Sequence, residues 1–428
     1  MCAKITVDPF YDHYASRTSQ MLSSEVRDLL AVTARPDIIS FAGGLPYTEA
    51  IDPEVMLETV SGVLKEDCPA ALQYGPTDGY VPLKHDLVEV MAEEGIPSLP
   101  EDIVITHGAQ QGLDLLAKIL INPGDHIIME GPTYVGALNS FVSYQPVIHT
   151  VPLDDGGLVV ERLEETLEGL ASRGIRPKFL YTVSNFQNPT GITLEEERRH
   201  ALLSLSREYD FIILEDNPYG LLRYEGEPIP ALRSLDAERV VYLGTLSKIF
   251  SAGMRIGWVT APRPVLEKVL LAKQSADLCT SSFTQRVAHR FFHERDWRGL
   301  IRKLRTIYRE RRDAMLSALE EFFPEEITWT KPGGGLFVWV TLPDYINSSD
   351  MLASALEYKV AFVPGTGFFP PPGGNNFIRL NFSYPELDEI WEGIKRLSKV
   401  VKRELSLASC LGLDVGAVSK GSCERGSI

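Results

Sequence analysis

Cysteine is scarce in this chain. Its 428 residues carry 5 cysteines, Cys2, Cys68, Cys279, Cys410 and Cys423, an odd number with no Cys-x-x-Cys spacing. That scatter argues against a disulfide framework or a cysteine zinc site and fits a reducing cytoplasm, the expected location. Positive charge is also short, with Lys+Arg 42 against Asp+Glu 58 and a formal net charge of -16. A mean field of that sign repels nucleic acid and anionic lipid, so neither is expected as a partner. No apolar run approaches the ~18 residues a membrane span requires, and the opening MCAKITVDPFYDHYASRTSQ lacks an apolar h-region. Neither export nor membrane insertion is expected, which leaves small molecules and further copies of the chain as partners.

With 44% hydrophobic and 23% charged residues, the chain can bury a large core, and its length suggests two or three domains. From about Leu99 onward it repeats a short β-branched apolar run, a turn rich in Gly, Pro, Asn or Asp, and a longer amphipathic stretch. The runs include DIVIT (102–106), HIIM (126–129), KFLYTV (178–183), FIIL (211–214) and VVYLG (240–244). Apolar runs without polar alternation suit strands buried on both faces, as in a parallel sheet covered by helices. Amphipathic stretches such as 194–209 supply those helices, and the fold class is α/β. After about Ala261 the pattern turns to long charged helices, including 298–322. The runs VWVTL (338–342), AFVP (361–364) and FIRLNF (377–382) follow, and a closing helix is expected over 386–405. This portion reads as a smaller α+β domain, and the Gly/Ser-rich, aperiodic 406–428 as a flexible tail.

Thr245-Leu246-Ser247-Lys248 follows the run VVYLG, with Arg255 downstream in SAGMRIGW. A lone lysine after a strand is ordinarily a solvated surface charge. Beside hydroxyls and an arginine at the mouth of an α/β sheet, however, it has what a Schiff-base lysine needs: a neighbouring cation to lower its pKa and donors for a phosphate. Arg255 would clamp that phosphate through its fork. Asp216 in Glu215-Asp216-Asn217-Pro218-Tyr219 ends the run FIIL, where open α/β sheets bind ligands. It suits the partner of a cofactor's ring nitrogen, with Tyr219 a donor to the cofactor's phenolic oxygen. The competing reading is an Asp that caps the next turn. Asn188, in NFQNPTG after KFLYTV, is a second candidate donor, although Asn-Pro-Thr-Gly is also ordinary turn chemistry. THGAQQGLD (106–114) places a Gly turn at a helix start, where free N–H groups favour a phosphate.

The motifs ISFAGGLP, QYGPTDGY, THGAQQGLD, EGPTY, NFQNPTG, EDNPYG, GTLSK, GMRIGW and FIRLNFS, in this order, resemble the fold-type I, class I/II aminotransferases dependent on pyridoxal 5′-phosphate (PLP). The branch they resemble contains the 2-aminoadipate and kynurenine enzymes. The resemblance implies a mainly parallel central sheet sandwiched by helices, plus a smaller α+β domain. It implies a segment 1–45 packing with a small domain 311–405, and a large PLP-binding domain 46–310. By the same resemblance Lys248 carries PLP and shuttles the proton, Asp216 partners the ring nitrogen, Asn188 and Tyr219 hold the phenolic oxygen, and Tyr134 stacks on the ring. Gly108, Ala109, Gln110, Thr245, Ser247 and Arg255 would form the phosphate cup, joined by Tyr74 of a neighbouring subunit, so a homodimer with shared sites is expected. Arg379, helped by the backbone near Gly44, would bind the substrate α-carboxylate. Arg27, in MLSSEVR (21–27), matches an arginine that meets an acidic substrate side chain, and a solvent-facing Arg is the equal alternative. The family often has hydroxyl residues where this chain has His107 and Ala109. Backbone N–H groups survive that change, so phosphate binding is expected to survive with them.

Other signals carry less. His289 and His293 sit at helical spacing but lack a third ligand, so no metal is expected. The basic run 302–312 alternates with apolar residues and reads as a solvated helix face. Gly365-x-Gly367 carries no nucleotide signal. Two other functions compete with amino transfer. A PLP-binding transcription regulator needs a DNA-binding module, for which the residues before Ile39 are too few. Same-fold lyase, cyclase or oxidase chemistry is not separated by these motifs.

Overall fold

The computed structural model describes residues 8–21, 35 and 37–412. Arg27 and the last part of the expected tail, 413–428, lie outside the described residues. A two-residue strand, β1 (Ile39–Ser40), precedes the central sheet. That sheet comprises β2 (Ile103–His107), β3 (His126–Gly131), β4 (Val147–Asp154), β5 (Gly157–Leu158), β6 (Phe179–Thr182), β7 (Ile212–Asp216), β8 (Val240–Thr245) and β9 (Ile256–Thr260). Its spatial order is β2-β9-β8-β7-β6-β3-β4-β5. The neighbours from β8 to β4 pair in parallel, while β9 pairs antiparallel with both β8 and β2, and β5 antiparallel with β4. The fold is therefore α/β with a mainly parallel sheet. Every residue of β6 and β8 is buried. Each Val, Leu or Ile so buried stabilises the fold by about 1.5–3 kcal/mol relative to exposure.

Helix α1 (Gly108–Leu120) lies against the sheet at β8 and β9. Gly112 permits the approach, since a Cβ there would sit 2.8 Å from Leu243 Cδ2 and 2.9 Å from Val259 Cγ2. Further along the chain run the helices α2 (Arg263–Ala276), α3 (Trp297–Phe322) and α4 (Leu387–Cys410). The C-terminal part holds a four-stranded antiparallel sheet of β10 (Thr328–Trp329), β11 (Phe337–Thr341), β13 (Val363–Pro364) and β14 (Phe377–Asn381), ordered β10-β11-β14-β13. Strand β12 (Val360–Ala361) pairs in parallel with β1. Phe41 continues that pairing by donating to Ala361 O at 2.8 Å, and its own carbonyl accepts from Asn381 N at 2.9 Å. Residues 38–45 are thereby tied to the C-terminal sheet.

Two sequence expectations, the tail from 406 and the solvated basic helix face, are corrected. Helix α4 continues to Cys410, so residues 406–410 are helical; Ala408 is buried on its inner face. Helix α3 runs unbroken across residues 310 and 311, the expected division between the two domains. The basic run on that helix is only partly a solvated face, because Arg311 and Arg312 are buried. Arg311 pairs with Glu386 at 2.5 Å and stacks over Tyr47, while Arg312 pairs with Glu225 at 2.6 Å. Both positions face the core of α3, where a guanidinium persists only with such partners.

Candidate active site

Strands β2, β3, β6, β7 and β8 end on one edge of the sheet, and a cavity of about 450 Å³ opens there. Its walls include Gly44, Ala109, Gln110, Tyr134, Asn188, Asp216, Tyr219, Thr245, Ser247, Lys248, Arg255 and Arg379. These residues are separated by up to most of the chain, and the strand order brings them together. Of the residues expected at the site, Gly108 does not itself line the cavity but packs against Arg255, which does. Tyr74 is 77% exposed and lines no part of this cavity.

Lys248 sits on a short π-helical turn, Ser247–Ser251, directly after β8. Its Nζ donates to Gly44 O at 2.7 Å. Burial, reinforced by the guanidinium charges of Arg379 and Arg255 and opposed by Asp216, brings the amine down to about 8. Asp216, the last residue of β7, is 3% exposed. Its Oδ2 accepts from the Tyr181 hydroxyl at 2.8 Å, and its Oδ1 is buried without a partner. Among the described residues no backbone N–H reaches the carboxylate, so the turn-capping reading of Asp216 has no geometry to support it. Burial pushes the carboxyl up to about 6, against the Tyr181 hydrogen bond and the Lys248 charge.

Arg379, on β14, is fixed from several sides. Nη1 donates to Asn188 Oδ1 at 2.9 Å, and Nη2 to Ala42 O at 2.9 Å and Gly43 O at 3.2 Å. The guanidinium lies 4.3 Å from the Phe337 ring centroid and 5.1 Å from that of Phe368, with its Nε unpartnered. Burial lowers its pKa to about 10, which leaves it cationic at neutral pH. Tyr219 is buried, edge-on to Phe337, and burial raises its phenol above the ordinary range. At the other end, Gly108 starts α1 with φ +70°, a conformation L side chains rarely adopt. A Cβ there would meet Arg255 Nη2 at 2.6 Å. Arg255 donates to Ala252 O and His107 O, and Thr245 Oγ1 to Ser247 Oγ at 2.9 Å. This end combines a helix start, a guanidinium and two hydroxyls, a donor set for a phosphate.

Sequence reasoning missed four supporting residues. Tyr181, which holds Asp216, sits in the buried run KFLYTV and looked like core. Phe337 and Phe368, which flank Arg379, carry no polar signal. Gln187 pins the loop bearing Asn188: its Nε2 donates to Glu130 Oε2 at 3.1 Å and Pro132 O at 2.8 Å, and its Oε1 accepts from Thr190 N at 3.0 Å. Two signals discounted from sequence are now located: His289 Nδ1 lies 2.6 Å from Asp86 Oδ2 and His293 Nδ1 3.9 Å from Asp86 Oδ1. Among the described residues, no group of three or more His, Cys, Asp or Glu could hold a metal ion, and no helix is long and apolar enough to cross a membrane.

Comparison with known proteins converges on one family. The sequence model described as aminotransferase class I and II matches residues 36–397. The chain is 47% identical over 395 residues to aromatic-amino-acid aminotransferase 1 of Thermococcus litoralis, covering 92% of this chain and 95% of that protein. It is 37% identical over 398 residues to the 2-aminoadipate transaminase of Thermus thermophilus, covering 92% and 98%. Its structure superposes with a TM-score of 0.88 on the kynurenine aminotransferase of Pyrococcus horikoshii, crystallised in complex with PMP, KYN and KYA. That protein is 46% identical, with 92% of this chain and 98% of that one covered.

Proposed function

This chain belongs to the class I and II aminotransferases, and on that premise we propose that it moves an amino group from an acidic, aromatic or aliphatic L-amino acid to a 2-oxo acid, with 2-oxoglutarate as acceptor. It is a PLP-dependent aminotransferase. The observation that carries the site reading is the meeting, in one cavity, of the Lys248 amine, the unpartnered Asp216 Oδ1 and the Arg379 guanidinium. These residues fit PLP: an orphaned buried carboxylate oxygen awaits a ring N–H, and the Gly108 turn with Arg255 leaves a cradle that a Cβ would fill.

Bound there, PLP supplies a carbonyl carbon for the amino group and a ring that accepts electrons from the substrate Cα. Asp216 would face the ring nitrogen and keep it protonated. Asn188 and Tyr219 would hold the phenolic oxygen, Tyr134 would cover the ring, and Arg255, Thr245, Ser247 and the Gly108, Ala109 and Gln110 backbone would hold the phosphate. Arg379 binds the substrate α-carboxylate beside Gly44, which orients the Cα–H bond. Lys248 Nζ would take the proton from the substrate Cα and hand it on to the cofactor's carbonyl carbon, on the far side of the transferred nitrogen. Tyr74, exposed on its own chain, is the residue a second copy would receive, in keeping with a homodimer of shared sites. The large domain would span 46–310 and the small domain 311 onward, with 1–45 packed against it.

The Lys248 amine must be neutral to take up the cofactor, and an amine is neutral above its pKa. Loading of PLP onto the cofactor-free chain should therefore quicken about tenfold per pH unit up to about 8 and level off above it. Stopped-flow absorbance across pH 6 to 10 measures this; a rise continuing toward the ordinary lysine value would contradict the environment described for Lys248.

Aromatic-amino-acid and 2-aminoadipate enzymes among the relatives support the donor range. Mixing holoenzyme with single amino acids, and following the cofactor absorbance, should show reaction with glutamate or 2-aminoadipate, with phenylalanine and with leucine. Reaction confined to one of these classes would end the broad-range reading. We assign the acidic side chain to Arg27, so Arg27→Ala should raise KM for glutamate or 2-aminoadipate at least about tenfold, the value of one lost charge-assisted contact, with leucine nearly unchanged. Equal effects on both donors would remove Arg27 from the argument.

A further inference from the structure

Behind the phosphate end of the cavity lies a polar relay that amino transfer itself does not use. Lys273, in the last turn of α2, has a fully buried side chain, and its Nζ donates to both carboxylate oxygens of Asp277 at 2.8 and 2.7 Å. Asp277 Oδ2 also accepts from Gln111 Nε2 at 2.7 Å, and His107 Nε2 stands 3.5 Å away. The other end of the Gln111 amide, Oε1, accepts from the His107 backbone N–H at 2.8 Å. The His107 carbonyl in turn accepts from Arg255 Nη2 at 3.2 Å. Both backbone groups of the residue before Gly108 are thus held, one through Gln111 and one by Arg255.

We infer that Asp277 is a positioning residue for cofactor binding, fixing the phosphate turn at His107 and Gly108 through the side-chain amide of Gln111. The inference rests on the phosphate-site reading above. Its logic is one of donors and acceptors. An ionised carboxylate can only accept, so Gln111 must turn its NH₂ toward Asp277 and keep its oxygen for the His107 N–H. An asparagine at 277 could present its own NH₂ and let the Gln111 amide reverse. Two N–H donors would then face each other at His107, and the turn would lose its anchor. Lys273 supports the same orientation: besides its two hydrogen bonds to Asp277, its Nζ donates to Gln111 Oε1 at 3.4 Å, on the oxygen side of the amide.

The test is the rate at which PLP leaves the holoenzyme after dilution, followed by cofactor absorbance. Asp277→Asn should speed release at least fivefold while turnover at saturating PLP stays within twofold. Gln111→Met removes the relay but leaves the Lys273–Asp277 pair, and should speed release to a similar extent. The double variant should release PLP no faster than either single one. A merely structural role would lower the melting temperature of the cofactor-free chain and leave release unchanged. Parental release rates in either variant, or effects that multiply in the double variant, would overturn the inference; if Asp277→Asn does not fold, Gln111→Met decides. Arg255→Lys serves as the reference arm. Faster release there with parental release in Gln111→Met rejects the relay alone, whereas parental release in Arg255→Lys rejects the phosphate site itself.

Discussion

Replacing Lys248 with alanine should lower turnover at saturating substrate and cofactor by about 10³-fold or more, a barrier increase of about 4 kcal/mol. The size follows from how few groups in the cavity could move a proton in its place. Tyr219 is held protonated by burial, and Asp216 accepts from Tyr181 on one oxygen and, in the proposed site, would meet the ring nitrogen with the other. Arg379 remains a cation at neutral pH even with its lowered pKa. The Lys248 amine is brought down to about 8 by burial and by two neighbouring guanidinium charges, which leaves a share of it neutral and free to accept a proton. Steady-state kinetics on the PLP-saturated variant decides the matter, and turnover within tenfold of the parent would mean that another group carries the proton.

The Asp216→Ala variant should fold and lose at least a hundredfold in turnover, worth about 2.7 kcal/mol of barrier. Without the carboxylate the ring nitrogen is no longer held protonated, and the electron sink weakens. A separate effect on stability is expected, because the Tyr181 hydroxyl is left buried without its acceptor, at about 1–3 kcal/mol. The two effects separate experimentally: thermal unfolding reports the second, and kinetics below the melting temperature reports the first. Near-parental turnover alongside a lowered melting temperature would assign Asp216 a structural role only.

Much of this architecture was legible in the residues because it is local. Runs such as FIIL and VVYLG have no polar alternation and became strands buried in the middle of the sheet. The turn THGAQQGLD put a helix start at Gly108, and the polar clusters after successive strands gathered at one sheet edge. What escaped depended on partners distant in the chain. Tyr181 acquires its role from Asp216, and Phe337 and Phe368 from the guanidinium between them. Arg311 and Arg312 looked like solvated charges because their partners, Glu386 and Glu225, lie on other segments. Helix α4 outran its expected end at 405 because Ser and Ala, weak local signals, are carried by a face that buries Ala408. The relay from Asp277 to His107 is of the same kind, joining the end of one helix to the start of another.

The central claim is that Lys248 is the residue that bonds PLP, and reductive trapping tests it most directly. Holoenzyme treated with borohydride, digested and mapped by mass spectrometry should carry the pyridoxyl label on the peptide containing Thr245-Leu246-Ser247-Lys248, at Lys248. A label on Lys273 or on any other lysine, with Lys248 unmodified, would contradict the account.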